Sequence, residues 1–154
     1  MREILFRGQT RRKGEKVWMN GTPVDSNWVY GGIFPGTGDF SVIYTFDPIE
    51  KRSVYSDTVG QFTGLTDKNG KKAFEHDVIQ HHFGDEIGVI RYGEYRNPFG
   101  DDNFGRHVGF YVDWVSGKDS ELLRKDLGYW MNITEIIGNI HDNPELLEVT
   151  DNAM

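Results

Sequence analysis

The chain contains no cysteine. This excludes thiol nucleophiles, disulfide frameworks, cysteine-ligated zinc and iron–sulfur clusters, and it is compatible with a reducing compartment. No stretch approaches the roughly 20 apolar residues that span a bilayer, and residues 1–16 lack the apolar core of a signal peptide. We therefore expect a cytoplasmic protein that does not contact a membrane.

Positive charge is also scarce, since 17 Lys and Arg residues stand against 24 Asp and Glu residues and the net charge is −7. Such a chain repels phosphate backbones on average. Residues 1–16 are an exception, because six basic and two acidic residues give them a charge of +4 and leave −11 for the remainder. This segment is either a solvated hairpin tip that limits edge-to-edge association or a weak nucleic-acid contact.

The nucleic-acid alternative names particular residues of the N-terminal segment. Those that could contact phosphate are Arg7, Arg11, Arg12 and Lys13. The aromatic residues that could stack on bases behind them are Trp18, Trp28 and Tyr30.

Helical signals are few, and the hydrophobic periodicity predicts strands. Residues 108–114 alternate between Val, Phe, Val and Trp on one face and Gly, Tyr and Asp on the other. Shorter runs of this kind are at 4–6, 28–34, 42–46, 54–55, 61–63, 78–83, 87–92 and 136–140. Together with 19 glycines they predict a barrel or sandwich. A brief helix could start at Asp119 or Ser120, and another at Pro144 with Asn143 as its N-cap.

The segment "TVGQFTGLTDKNGKKAFEHDVI" at residues 58–79 contains a turn signal. Asn69 and Gly70 both tolerate positive φ, so they predict a two-residue type I′ hairpin turn. The letters "DKNG" also start like a calcium loop, but such a loop needs glycine at its sixth position and glutamate at its twelfth. The segment therefore predicts a bend and no calcium site.

Four segments carry a resemblance to a known family: "MREILFRG", "TVGQFTGLTDKNGKKAFEHDVI", "IGVIRYG" and "EIIGNIHDNPELL", in this order. With them the chain resembles the YopX-like family of phage and prophage proteins. The resemblance implies a small, largely β protein with an SH3-like barrel, made in a bacterial host cell, and no established biochemical activity. Similar proteins tend to read "EGD" where this chain has Glu75, His76 and Asp77. If that backbone needs positive φ, His76 is strained there.

Residues and resemblance together predict a mainly β fold with one or two short helices. An N-terminal β subdomain occupies residues 1–57, an SH3-like barrel subdomain packed on it occupies 58–148, and 149–154 form a disordered tail. The barrel would use the strands at 61–63, 78–83, 87–92, 108–114 and 136–140. Residues 58–64 would be the crossing point between the two subdomains.

No catalytic or metal-binding pattern is present in the sequence. His81 and His82 are adjacent, so a regular strand directs them to opposite faces, and no HExxH or GxSxG motif occurs. We expect no catalytic residues, no metal and no cofactor. Phe99 and Phe104 lie in a polar loop and are the candidate contacts with a partner protein.

Two functional hypotheses follow. The first is a non-enzymatic phage accessory protein that binds a host or phage protein, with homo-oligomers possible. The alternative is a nucleic-acid-binding protein that uses the basic N-terminal segment.

Overall fold

The computed structural model describes residues 2–15, 17–19, 22–24, 27–81, 86–98 and 106–148, with the backbone alone at 17–19 and 22–24. The strands are β1 (Phe6–Gln9), β2 (Val17–Met19), β3 (Thr22–Val24), β4 (Trp28–Phe34), β5 (Phe40–Tyr44), β6 (Lys51–Tyr55), β7 (Gly60–Thr66), β8 (Lys72–Phe74), β9 (Asp77–His81), β10 (Ile87–Tyr95), β11 (His107–Ser116) and β12 (Thr134–Asn139). One short α-helix, α1, spans Leu127–Trp130, and single 3₁₀ turns span Ser56–Thr58, Ser120–Leu122, Met131–Ile133 and Pro144–Leu147. The mainly β fold class is confirmed.

The chain divides into two compact units, Met1–Phe62 and Thr63–Met154. The division falls inside residues 58–64, and β7 continues across it. In the part of the chain that the structure describes, no helix is long and apolar enough to cross a membrane.

The first unit contains an antiparallel sheet in the order β6-β5-β4-β1-β7. β1 pairs with β4 on one side and with the start of β7 on the other. β4, β5 and β6 follow one another as a meander. The strands β2 and β3 form a separate hairpin within the connection from β1 to β4. The predicted strand at residues 4–6 begins at Phe6 and runs on to Gln9.

The core of the first unit is small and needs a glycine. Ile43 and Val54 are fully buried, and Phe62 is nearly so. A Cβ atom at Gly8 would lie 2.9 Å from Cγ2 of Val54, so β1 can approach β6 this closely only without a side chain. The backbone N–H of Gln9 donates to Oγ1 of Thr58 at 2.8 Å and ties the end of β1 to the 3₁₀ turn before β7.

The second unit contains a four-stranded antiparallel sheet in the order β11-β10-β9-β12. Its hydrophobic core comprises Ala73, Ile79, Ile90, Val112, Trp114, Leu127, Trp130, Met131 and Ile136. The indole N–H groups of Trp114 and Trp130 both donate to the carbonyl oxygen of Arg124, at 3.0 and 2.7 Å. The alternation predicted in β11 is present, but its core face ends early, because Val108 near the hairpin tip is exposed.

The predicted barrel in residues 58–148 is not what these strands form. β11 and β12 are the two edges of an open sheet among the described residues. The predicted strand at 61–63 lies inside β7, which pairs with β1 and is followed in sheet order by β8. Periodicity predicted which residues are extended, but it could not predict which strands are neighbours.

The turn at Asn69 and Gly70 is located correctly, but its predicted type is wrong. Only Gly70 has positive φ, at 83°, whereas a type I′ turn needs both residues there. The N–H of Gly70 donates to the carbonyl of Asp67, and the N–H of Asp67 donates to the carbonyl of Lys71. This is a three-residue loop with a type I turn and glycine at its left-handed position. The carboxylate of Asp67 stabilises it by accepting from the N–H groups of Asn69 and Lys71.

Two further local predictions have mixed outcomes. His76 has φ of 75°, so the condition under which the resemblance implied strain at this residue is met. Pro144 begins a turn as predicted, although this turn is 3₁₀ and Asn143 makes no side-chain cap. Oδ1 of Asn143 instead accepts from the N–H of Asn139 at 3.2 Å.

Candidate functional site

Five aromatic side chains share one face of the sheet in the first unit. In β4 the residues Tyr30 and Phe34 are four positions apart, and in β5 so are Phe40 and Tyr44, which places each pair on one side of its strand. The register aligns Phe40 with Tyr55 of β6. We call these five residues the aromatic face. Phe34 is 59% exposed, and Tyr30, Phe40 and Tyr44 are exposed as well.

The rings of the aromatic face support one another in pairs. The ring centroids of Phe34 and Tyr44 are 5.3 Å apart in an edge-to-face arrangement. Those of Phe40 and Tyr55 are 5.0 Å apart and tilted. Such pairs restrict the rotamers of exposed side chains, so a partner that binds them has less side-chain entropy to remove.

The strand positions between these rings are uncharged or basic. They are Gly32 in β4, Val42 in β5, and Lys51 and Ser53 in β6. In a chain where acidic residues exceed basic ones, no carboxylate occurs at these positions. Dehydrating this part of the sheet therefore desolvates no carboxylate on it.

A polar cluster borders the aromatic face at Tyr55. The guanidinium of Arg12 lies 4.2 Å from the centroid of the Tyr55 ring and pairs with Asp57 at 3.0 Å. The hydroxyl of Tyr55 donates to Glu15 at 3.1 Å. The bond with Asp57 raises the pKa of Arg12, and the bond with Glu15 raises the pKa of Tyr55. The cluster holds the Tyr55 ring in place at the edge of the aromatic face. Its charged groups are the carboxylates of Glu15 and Asp57 and the guanidinium of Arg12, so its net charge is negative.

The four basic residues predicted to contact phosphate are not equivalent. Arg7 and Arg11 are only 6% and 5% exposed, and the guanidinium of Arg7 lies 4.6 Å from the Trp28 ring centroid. Arg12 and Lys13 are exposed, with Arg12 bound to Asp57. The structure therefore leaves two of the four side chains accessible to a phosphate backbone.

Phe99 and Phe104, the predicted partner contacts, lie outside the described residues. Trp18 lies in β2, of which the backbone alone is described. The sequence analysis predicted strands at 28–34 and 42–46 but did not predict the aromatic face that they form. The signal was the four-residue spacing of Tyr30 and Phe34, repeated by Phe40 and Tyr44 in the next strand.

The histidines are dispersed over the second unit. His81 is half-buried and packs edge-on against Trp130, and His107 stacks on Tyr95. His76 and His141 meet each other, with Nδ1 of one 3.2 Å from Nε2 of the other. His82 lies outside the described residues. Within the ranges that the structure describes, no three His, Asp or Glu side chains group closely enough to hold a metal ion.

The well-bonded carboxylates have structural roles. Burial alone would raise the pKa of Asp67, but the N–H groups of Ile136, Lys71 and Asn69 outweigh it and hold that pKa below its usual range. Burial alone would also raise the pKa of Asp126, but hydrogen bonds from the side chains of Arg124, Asn97 and Tyr95 outweigh it and lower that pKa. Both groups are ionised at neutral pH, so neither matches a general acid or base, whose pKa lies near the working pH.

A family model described as YopX protein matches residues 37–148. No curated protein matches the chain. Among solved structures, protein EF1440 from Enterococcus faecalis is 20% identical, with 95% of this chain and 99% of that chain covered and a TM-score of 0.40.

Proposed function

The chain belongs to the YopX protein family, and from this premise we propose that it is a phage- or prophage-encoded accessory protein that binds another protein in the bacterial cytoplasm and catalyses no reaction. The observation that carries the proposal is the aromatic face of the first unit. Four of its rings are exposed on one uncharged or basic part of a sheet. Aromatic side chains are enriched at protein interfaces and dominate their binding energy.

A protein partner fits this face better than a nucleic acid does. Stacking on bases would use the rings, but it needs a positively charged track beside them. Arg7 and Arg11 are buried, and the charge beyond residue 16 is −11. The aromatic face thus has the apolar component of a binding site without the phosphate-binding component.

The partner that we propose is a basic protein, not a second copy of this chain. Two copies would each carry a charge of −7 and would repel each other as they approached. Glu15 and Asp57 border the face at Tyr55 and outnumber Arg12 there. An apolar anchor flanked by Lys or Arg would bind the rings and meet these carboxylates at the border.

We also propose that the SH3-like barrel implied by the resemblance lies in the first unit. β1 lies between β4 and β7, the strands β4 to β6 form a meander, and a 3₁₀ turn precedes β7. This is the strand order of an SH3-like barrel. The close approach of β1 to Val54 at Gly8 supports the same curvature. The aromatic face would then be an outer surface of that barrel.

The test compares two double variants, each of which replaces two exposed hydrophobic side chains by serine. Phe34→Ser with Tyr44→Ser removes one ring pair of the aromatic face, and Tyr92→Ser with Val108→Ser removes two exposed apolar side chains from the hairpin of β10 and β11. Each protein is used as bait in lysate of a bacterial host, and the captured protein is purified and titrated by calorimetry. Loss of two aromatic contacts weakens binding about 1,000-fold, because such residues contribute about 2 kcal/mol each and about 1.4 kcal/mol is a factor of ten.

We expect the control variant to bind within about twofold of wild type, and salt to weaken binding by a basic partner. Equal affinity of both variants would move the interface away from the aromatic face. Self-association of wild type in sedimentation, abolished by the Phe34 and Tyr44 variant, would make the occupant a second copy. Binding of nucleic acid that this variant abolishes would replace the protein partner altogether.

A further inference from the structure

His76 holds its side chain at a backbone position that favours glycine. Its φ of 75° lies in the left-handed region, which L-residues with a side chain adopt rarely. The residue lies in the turn between β8 (Lys72–Phe74) and β9 (Asp77–His81). Residues in disfavoured backbone conformations cluster at functional sites, so the conformation of His76 is a reason to ask what its side chain does.

The imidazole of His76 is directed to a second imidazole. Nδ1 of His76 lies 3.2 Å from Nε2 of His141, which is distant in sequence and follows β12. The two ring planes are inclined by 80°. In the protein alone, this distance suits one N–H···N hydrogen bond, with one ring as donor and the other as acceptor.

The same separation suits a shared metal ion. With Zn–N distances of 2.0–2.1 Å and a tetrahedral angle, two ligating nitrogens lie about 3.3–3.4 Å apart. The observed separation of 3.2 Å is about 0.1–0.2 Å shorter than this value, so a small movement of the two rings would admit an ion. Imidazole is a preferred ligand of zinc, nickel and copper ions.

Both histidines are held by their backbones before any ion binds. The N–H of His76 donates to the carbonyl of Ile90 at 2.8 Å, and its carbonyl accepts from the N–H of Ile140 at 3.0 Å. The N–H of His141 donates to Oδ1 of Asn139 at 3.0 Å. These bonds connect both residues to the sheet of the second unit, so their backbone positions are fixed before an ion binds.

We propose that His76 and His141 form an open site for a divalent transition metal ion of the zinc, nickel and copper class. The two imidazoles supply the protein ligands, and water or a ligand from solution completes the coordination. Within the described ranges no third His, Asp or Glu joins them as a ligand group. The site therefore has fewer protein ligands than structural zinc, which takes four, or catalytic zinc, which takes three. The ion exchanges, and chelation removes it.

The test is calorimetric titration of the untagged protein with ZnCl₂ and with NiCl₂ at neutral pH. Wild type binds one ion per chain. His76→Gly and His141→Asn each weaken binding at least about tenfold, because each removes one of two ligands. His107→Asn is the matched control, since it removes a histidine that stacks on Tyr95 away from the pair, and it leaves the isotherm unchanged.

The variant at residue 76 also separates lost binding from lost folding. Glycine adopts φ of 75° without steric cost, so His76→Gly raises the melting temperature of the metal-free protein while it weakens metal binding. Changes in the imidazole resonances of residues 76 and 141 on zinc addition locate the ion. The proposal is overturned if wild type shows no saturable binding up to millimolar metal, or if His76→Gly and wild type bind alike.

Discussion

Replacement of Asp67 by Asn tests whether one buried carboxylate holds the second unit together. Asp67 is 5% exposed, and its Oδ1 accepts from the N–H groups of Asn69 and Lys71 at 2.9 Å. Its Oδ2 accepts from the N–H of Ile136 at 3.0 Å, across to β12. Asn keeps one acceptor oxygen but directs an NH₂ group at one of these donors.

The expected loss is about 3 kcal/mol of unfolding free energy, because a hydrogen bond to a charged group contributes about 1.5–3 kcal/mol and the remaining bonds weaken when the acceptor becomes neutral. The measurement is urea denaturation of wild type and Asp67→Asn at about pH 7. Asp119→Asn is the control, since this exposed residue makes no side-chain cap bond, and it changes stability by less than about 0.5 kcal/mol.

The pH dependence gives the same test a second readout. The pKa of Asp67 is lower in the folded protein than its usual value, so its contribution is complete above the unfolded pKa of about 3.9. The contribution is lost as the pH falls through the folded pKa. The difference between wild type and Asp67→Asn must therefore shrink as the pH falls below the unfolded pKa and through the folded one. A loss below about 1 kcal/mol at neutral pH, or a difference that grows in acid, would refute the structural role.

Three further predictions are independent of that residue. Gly31→Ala destabilises the protein by about 1–3 kcal/mol or more, because the added Cβ would collide with the carbonyl of Tyr44. Gly32→Ala is the control and is nearly neutral, because its Cβ meets open space. Thermal melts of both variants measure the difference, and equal melting temperatures would contradict it. Binding to single-stranded DNA, measured at two salt concentrations, is weak, with a log–log slope no steeper than about −1.5, because only Arg12 and Lys13 of the four candidates are exposed. A slope near about −3 would show that Arg7 and Arg11 reach phosphate as well. Deletion of residues 135–154 removes most of β12 and prevents folding, whereas deletion of 150–154 leaves the melting temperature unchanged; cooperative unfolding of the longer deletion would contradict the role of β12.

Strand positions were predictable from the sequence where alternation was strong. Val112 and Trp114 lie in the core as their spacing indicated. Turn types were not predictable, because the geometry at Gly70 depends on the side chain of Asp67, which the turn residues alone do not reveal. Strand neighbours were not predictable either, since the pairing of β1 with β7 depends on contacts between residues far apart in sequence.

The candidate site was predictable only in part. The exposed positions of Arg12 and Lys13 agree with a solvated segment, but composition could not show that Arg7 packs against Trp28. The pair of His76 and His141 was beyond sequence spacing altogether, because the fold brings together residues of two different turns. The aromatic face was partly within reach, since residue parity puts Tyr30 and Phe34 on one side of β4 and Phe40 and Tyr44 on one side of β5, whereas the alignment of the strands needed the register.

The position of β12 determines the order in which the chain can fold during synthesis. All the strands of the first unit's sheet up to Phe62 precede the strands of the second unit, so its pairing can be complete while translation continues. β9 lies between β10 and β12, so one of its edges stays unpaired until residue 139 has left the ribosome. An unpaired strand edge is a template for pairing with other chains. In a nascent chain the sheet that carries the aromatic face can therefore be complete before the second sheet has acquired its last strand.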